Sequence, residues 1–326
     1  MRILVTGATG FLGFKVCEVL KKDFANIIGT GRNEIKGKEL EKKHITFIKA
    51  DLSDIKKMAS VVECVDYIVH CGGLSSPWGR KKEFLEINYK ASEHLAQLAR
   101  KNQIKKFIFI SSPSVYHSSK DLINIEETHP VASNPLNYYI DSKIKAEESV
   151  FKFFPNAIIL RPRAIFGPGE ESIFPRLIRA HENGKLRTIG DGENLTDLTY
   201  IDNAVEAIKC ALLSGKSAEG NIFNITDGGP KKLWDILDYA FLKLGLSRDF
   251  RPIPYRFVYT FSYFSEVLHK VFLPQKEPVL TRYTCNLLAK SQTLNISKAR
   301  RLLGYSPKTK TMEGIEKFIE YYKNNV

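Results

Sequence analysis

Apolar residues along the chain fall into two rhythms. Ile3, Leu4 and Val5 are consecutive, and similar short runs recur at 26–30, 45–49, 67–70, 107–110 and 157–160. A short run that is apolar on both faces predicts a strand buried in a parallel sheet. Between the runs the spacing lengthens to that of a helix. Phe11, Phe14, Val16, Val19 and Leu20 follow the first run, Leu85, Leu95 and Leu98 fall within 83–101, and a further helix is expected from about 138 to 153. Such alternation predicts an α/β fold built on a doubly wound parallel sheet, with its ligand at the carboxyl ends of the strands. Past Arg161 the rhythm loosens into the loop signals Arg161-Pro162-Arg163, Gly167-Pro168-Gly169 and Gly190-Asp191-Gly192. A helix at 202–213 and a strand at 221–225 rejoin the sheet, and the chain from about 231 onward reads as helical and less regular. The expected division is a first domain at 1–161 plus about 196–226, and a smaller, mostly helical substrate domain at about 162–195 and 227–326.

The junction of the first strand and first helix carries Gly7, Gly10 and Gly13 within Thr-Gly-Ala-Thr-Gly-Phe-Leu-Gly. Gly7 permits a tight turn, Gly10 lets backbone approach a pyrophosphate, and Gly13 lets the helix pack on the strand. Free N–H groups at the helix start then face an anion. Strand, glycine turn and helix in that order predict a Rossmann-type dinucleotide site, with Thr9, Phe11 and Leu12 in the same turn beside the cofactor. The end of the second strand, Gly29-Thr30-Gly31-Arg32-Asn33, bears on which dinucleotide binds. Gly31 stands where an acidic residue would hold a ribose 2′-hydroxyl, and Arg32 has a planar fork suited to a 2′-phosphate. NADP is therefore expected in preference to NAD, the plain alternative being that Arg32 is one more surface cation among 49 Lys and Arg.

The formal net charge of +13 raises the question of nucleic acid. The lysines argue against it: Lys21-Lys22, Lys42-Lys43, Lys56-Lys57 and Lys105-Lys106 are scattered as solvated helix faces would scatter them. An anionic cofactor, an anionic substrate or an acidic membrane surface uses the same field. Five cysteines, odd in number and never in a CxxC pair, predict reduced thiols and a cytoplasmic protein, with no signal peptide expected before the first strand. No apolar run reaches the ~18–20 residues of a membrane span. Seven histidines show no metal-ligand spacing, so no metal is expected.

Tyr139-Ile140-Asp141-Ser142-Lys143 places a phenol and an ammonium on one helix face. An unperturbed phenol titrates near ~10, and a nearby ammonium is expected to move it toward working pH. Lys143 is also expected to hold ribose hydroxyls. Ser112, at the end of the fifth strand, is the candidate that hydrogen-bonds the reacting oxygen, with Ser111 and Ser114 as rivals. A hydrolase built on Ser112, His117 and an aspartate is the poorer reading, because no GxSxG elbow is present.

Together these motifs resemble the extended short-chain dehydrogenase/reductase family, over nearly the whole chain: TGATGFLG at the start, SSPSVY at strand five, YIDSK on the helix and RPRAIFGPGE after strand six. The resemblance implies Ser112, Tyr139 and Lys143 as the catalytic set. It also implies Asp51 and Leu52 at the adenine, Cys71 and Gly72 in the turn after strand four, Pro162 near the cofactor, and Asn88 as a buried support. Nucleotide-sugar epimerases and dehydratases of the family carry an arginine where this chain has Thr196. The segments around Asn203, Asn224-Ile225-Thr226-Asp227 and Leu233-Trp234 are more similar to the 3β-hydroxysteroid and sterol-4-carboxylate dehydrogenase branch, and to bacterial 2-alkyl-3-oxoalkanoate reductases. The resemblance thus implies hydride transfer between nicotinamide and a secondary alcohol or ketone of an apolar small molecule, in a helix-mediated homodimer. A nucleotide-sugar epimerase or dehydratase, and a non-catalytic dinucleotide-binding regulator, are the alternatives. Finally, Phe257, Phe261, Phe264, Leu268 and Phe272 form one stripe of a helix at 255–272. Packing between the domains is the bland use of these rings; roofing an apolar substrate, or peripheral membrane contact aided by Arg256 and Lys270, is the other.

Overall fold

The structure, a computed structural model, describes residues 1–247, 251–274 and 276–325. Seven strands form one parallel sheet in the order Ile222–Ile225, Ile158–Pro162, Lys106–Ile110, Tyr67–His70, Arg2–Thr6, Asn26–Gly31, Thr46–Lys49. Every neighbouring pair runs parallel. Successive side chains of the first strand serve opposite faces, as a pleated strand requires. Ile3 and Val5 join Val16, Cys17, Leu20 and Ile208 on one side, while Leu4 joins Ile68, Phe107, Leu95 and Val150 on the other. Lys106–Ile110 is buried along its full length, which is why its sequence shows no alternation.

The order reverses between Arg2–Thr6 and Tyr67–His70, so strands on the two sides of that point diverge toward opposite edges. A crevice opens there above the carboxyl ends. Two helices escaped the reading of the sequence. Glu34–Lys42 and Ile55–Val62 are short and start on side-chain caps, Asn33 accepting from Lys36 N–H at 3.1 Å and Asp54 from Lys57 N–H at 3.0 Å. The expected helix at 83–101 is continuous but contains a π-helical turn, Leu85–Lys90, between Lys81–Phe84 and Ala91–Lys101. Such a turn admits an extra residue without ending the helix, and Asn88 lies in it, fully buried.

The C-terminal part is helical, as expected. Helices Leu233–Lys243, Arg282–Ala289 and Thr311–Asn325 gather a second apolar cluster around Phe166, Phe174, Trp234, Phe241 and Phe318. A small four-stranded sheet (Lys231–Lys232, Leu195–Thr196, Gln292–Leu294, Leu122–Ile125) stitches this part to the loop after strand five. The helix Tyr255–Phe272 corrects one expectation. Val258, Ser262 and Glu266 face inward at i, i+4 and i+8, and Glu266 accepts from Arg282 N–H at 2.6 Å and Nε at 2.9 Å. The stripe Phe257, Phe261, Phe264, Leu268 and Phe272 therefore points away from the molecule and is between 57% and 73% exposed, not used in packing. Among the described residues no helix is long and apolar enough to cross a membrane.

Candidate active site

The glycine turn is held by contacts that leave no space for side chains. Gly7 has φ +66°, and a Cβ there would lie 2.7 Å from Gly72 Cα. A Cβ on Gly13 would lie 2.2 Å from Gly7 O. Strand one, the helix Phe11–Asp23 and the turn after strand four thus meet backbone to backbone, leaving the N–H groups at the helix start open above the sheet. No acidic side chain occupies the first turn of that 13-residue helix. The cradle fits a dinucleotide pyrophosphate. Phe11 and Leu12 lean from it onto the C-terminal cluster.

Gly31 has a specific cause. A Cβ there would stand 2.4 Å from Thr9 Oγ1, so any side chain at this position must displace Thr9. Arg32 reaches Asp51, Nη1 to Oδ2 at 3.8 Å, with both side chains open to solvent. The backbone and hydroxyl of Ser53 donate to Asp51 Oδ1 at 2.9 and 2.7 Å, and these, with Arg32, hold its carboxyl below the usual range. Leu52 packs at Gly72, Cys71 is a thiol that burial pushes up to about 12, and Pro162 ends its strand beside Ile225.

The helix Tyr138–Phe153 starts on Asn137, whose side chain accepts from Ile140 N–H at 2.9 Å, and this start carries Tyr139 and Lys143 into the crevice, both buried. Lys143 Nζ donates to Ile110 O at 2.9 Å and lies 5.0 Å from the centre of the Phe109 ring. Burial lowers its pKa to about 8, with Glu147 and Cys71 pulling the other way. Ser112, Ser75 and Ser114 lie by the Tyr139 hydroxyl and act to lower its pKa. Here the expectation is corrected: burial outweighs the pull of those serines and raises the phenol above its ordinary value, so Tyr139 holds its proton at neutral pH.

Geometry also separates the serines. Ser111 donates to the Glu147 carboxylate, which receives Arg161 Nε at 2.8 Å and Arg161 Nη2 on its other oxygen. It is spent on structure. Ser112, half-buried, faces Tyr139, and its Oγ accepts from Ser114 N–H at 3.2 Å and Ser114 Oγ at 2.9 Å. Asn88 braces the site: its amide accepts from Leu74 N–H at 2.7 Å and donates to Leu74 O and Ser142 Oγ, both at 3.0 Å. The π turn that aims it inward leaves no trace in the apolar pattern. His117 pairs with Asn286 at 3.2 Å and is driven down to about 4 by burial and Arg163, so it is no partner for Ser112.

Beside Tyr139 lies a cavity of ≈ 610 Å³. Its walls are Pro77, Trp78 and Arg80 after strand four, Lys81 and Phe84 of the short helix that follows, Pro135, Leu136, Asn137, Tyr138 and Asp141, Thr281 and Tyr283, and Glu266, Lys270 and Pro274 at and beyond the end of the Tyr255–Phe272 helix. Phe84 touches Tyr139 edge to face at 6.4 Å. The Trp78 indole N–H is buried without a partner. The sequence reading missed Ser75, Trp78, Phe84 and Tyr283; they come from segments far apart in the chain. Thr196 is buried in the small sheet, its hydroxyl donating to Asp197 O at 3.2 Å, and offers no cation to a ligand.

Residues 3–226 match the NAD dependent epimerase/dehydratase family. A protein of Escherichia coli, the uncharacterized protein YbjS, is 34% identical across 100% of this chain and 98% of its own. The 2-alkyl-3-oxoalkanoate reductase of Stenotrophomonas maltophilia is 29% identical, covering 97% and 98%. The sterol-4-alpha-carboxylate 3-dehydrogenase, decarboxylating, of Candida albicans is 29% identical over 99% and 98%. Among solved structures, UDP-glucuronic acid 4-epimerase of Bacillus cereus with NAD superposes at a TM-score of 0.78 with 24% identity, covering 99% of each chain, which speaks for the fold.

Proposed function

Since the chain belongs to the NAD-dependent epimerase/dehydratase family, an enzyme family, we propose that it is an oxidoreductase that interconverts a ketone and a secondary alcohol on an apolar small molecule. The observation that carries this reading is the ≈ 610 Å³ cavity set against the Tyr139 helix, where aromatic and proline residues such as Trp78, Phe84, Tyr283 and Pro77 share the wall with charged Arg80, Lys81 and Lys270. A bound nicotinamide supplies or accepts the hydride. In reduction, Ser112 donates a hydrogen bond to the carbonyl oxygen, Tyr139 gives its phenolic proton to that oxygen as it becomes an alcohol, and Lys143 keeps positive charge beneath the phenol. Thr196, without charge, weakens the nucleotide-sugar reading. A full set of Ser112, Tyr139 and Lys143 weakens that of a non-catalytic regulator. The reductase and sterol dehydrogenase relatives support a 3-oxoalkanoate or 3-hydroxysterol type of substrate. The experiment is cofactor absorbance along a homologous series of 3-oxo acids and 3-hydroxysteroids, with UDP-glucose alongside. Each methylene buried is expected to raise kcat/KM about fourfold, from ~0.8 kcal/mol. A flat series with good turnover of UDP-glucose gives the case to an epimerase.

NADP is the proposed preference. Gly31 packs against Thr9 and puts no carboxylate at this position, and Arg32 stands ready for a 2′-phosphate, which competes with Asp51 for the guanidinium. Arg32→Ala is expected to raise KM for NADPH by about tenfold, in line with ~1.5 kcal/mol for a charged hydrogen bond, and to leave NADH nearly untouched. Equal responses to the two cofactors overturn the preference.

The outward stripe of the Tyr255–Phe272 helix supports a peripheral membrane role. Its rings lie on the same helix whose last turn borders the cavity, and Arg256, Lys270 and Lys276 add exposed cations to the apolar face. Sedimentation with phosphatidylcholine vesicles containing phosphatidylglycerol is expected to carry down the wild type. The pair Phe261→Glu and Phe264→Glu should stay in the supernatant. If both proteins stay soluble and the wild type alone elutes as a larger species, the stripe joins two copies instead.

A further inference from the structure

The wall of the ≈ 610 Å³ cavity is unevenly charged. Both of its carboxylates are matched by cations from outside it: Glu266 takes Arg282 Nη2 at 2.8 Å, and Asp141 takes Lys145 Nζ at 2.8 Å. Its three cations are not. Arg80, Lys81 and Lys270 are exposed, and among the described residues none of them has a carboxylate partner. They come from two elements, Lys270 from the last turn of the Tyr255–Phe272 helix and Arg80 with Lys81 from the start of the helix Lys81–Phe84. The two walls meet where the Trp78 indole stands edge to face with the His269 ring, 6.4 Å between centres.

The apolar stripe runs up to this opening. Lys270 and Pro274 line the cavity, while Leu268, Val271, Phe272 and Leu273, interleaved with them along the chain, are between 49% and 73% exposed. The rim of the cavity and the outward apolar face are therefore one surface. Charge decides what covers it. A second copy, paired about a two-fold axis, brings Arg80, Lys81 and Lys270 against their own equivalents, in a chain whose formal net charge is already +13. A bilayer with anionic headgroups suits both parts of the surface at once. Rings and aliphatic groups enter the acyl boundary by about 5–10 Å, and the cations stay level with the phosphates.

We infer that the mouth of the cavity is seated on an anionic lipid surface, with Lys270 and the Arg80–Lys81 pair at the headgroups, so that the site opens toward the acyl chains. The inference rests on the membrane role proposed for the stripe and goes past it, since a helix can bind lipid while the neighbouring cavity faces water. An apolar tail then passes between bilayer and cavity wall without its surface being rehydrated on the way.

Trp78 reports on the mouth. The chain has two tryptophans, and the other, Trp234, is buried, its Nε1 donating to Leu288 O at 3.1 Å. The test uses vesicles of phosphatidylcholine and phosphatidylglycerol in which part of the phosphatidylcholine is brominated on its acyl chains, a quencher that acts only near contact. The wild type is expected to lose emission on binding them, and Trp78→Phe, left with Trp234, is expected to lose none. Arg80→Gln with Lys81→Gln should weaken partition onto the anionic vesicles by about fivefold for each cation removed and leave partition onto pure phosphatidylcholine unchanged. A wild type that sediments with the vesicles while Trp78 stays bright overturns the inference and leaves the membrane role of the stripe standing. Partition that ignores the loss of both cations also overturns it. A wild type that does not sediment at all removes the membrane role, and the inference falls with it. If that protein also elutes as a larger species, the surface joins two copies.

Discussion

Tyr139→Phe is expected to fold as the wild type does and to lose about 10²–10⁴-fold in kcat, the usual cost of removing a positioned proton donor. Only one oxygen goes, and the ring keeps its contact with Phe84. Ser112 and Ser114 beside its hydroxyl keep their bond to each other, so stability should hardly move. Turnover of a ketone followed by cofactor absorbance, with a thermal melt of the same sample, checks both halves. A variant that keeps wild-type turnover removes Tyr139 from the mechanism. The pH dependence carries a second check. Burial raises the Tyr139 phenol and lowers Lys143 to about 8, so ketone reduction should hold through neutral pH and decline as Lys143 loses its proton near that value. The sign for stability is opposite. A lysine lowered from 10.5 to about 8 binds fewer protons folded than unfolded in that window, so its burden on stability eases as pH rises through it.

Glu147→Ala is the substitution with the largest expected effect on stability. Its carboxylate takes Arg161 with both oxygens and Ser111 as well, at 5% exposure, beneath the catalytic strand ends. Removing it leaves Arg161 charged and buried against Tyr116, with its Nη1 already unpartnered. Breaking such a pair from one side costs about 3–5 kcal/mol, a large part of the ~5–15 kcal/mol that holds a domain folded. Chemical denaturation is the measurement. A loss under ~1 kcal/mol means that water enters and solvates Arg161. Activity should respond as well, because Glu147 raises the pKa of Lys143. Without it, the decline in ketone reduction is expected to move to lower pH. Glu147→Gln, which keeps an acceptor for Ser111, should lose less stability and show the same direction of pH shift.

The sequence by itself determined the sheet, the glycine turn and the Tyr139–Lys143 pair. Each is written in short-range spacing: apolar runs for strands buried on both faces, glycines where backbone meets backbone at Gly7, Gly13 and Gly72, and i, i+4 on one helix. It fixed neither Ser112 over Ser111 nor the protonation of Tyr139. The first waited on Glu147, which occupies Ser111 from another element, and the second on burial outweighing the pull of the neighbouring serines. Tertiary structure alone decided that the aromatic stripe of Tyr255–Phe272 faces outward, and that a π turn aims Asn88 at the site. A helical stripe states its own period but not its partner, and a charge state depends on neighbours that spacing along the chain does not contain. Residues such as His117, Asn286 and Tyr283 meet only when the loop after strand five and the C-terminal helices are packed.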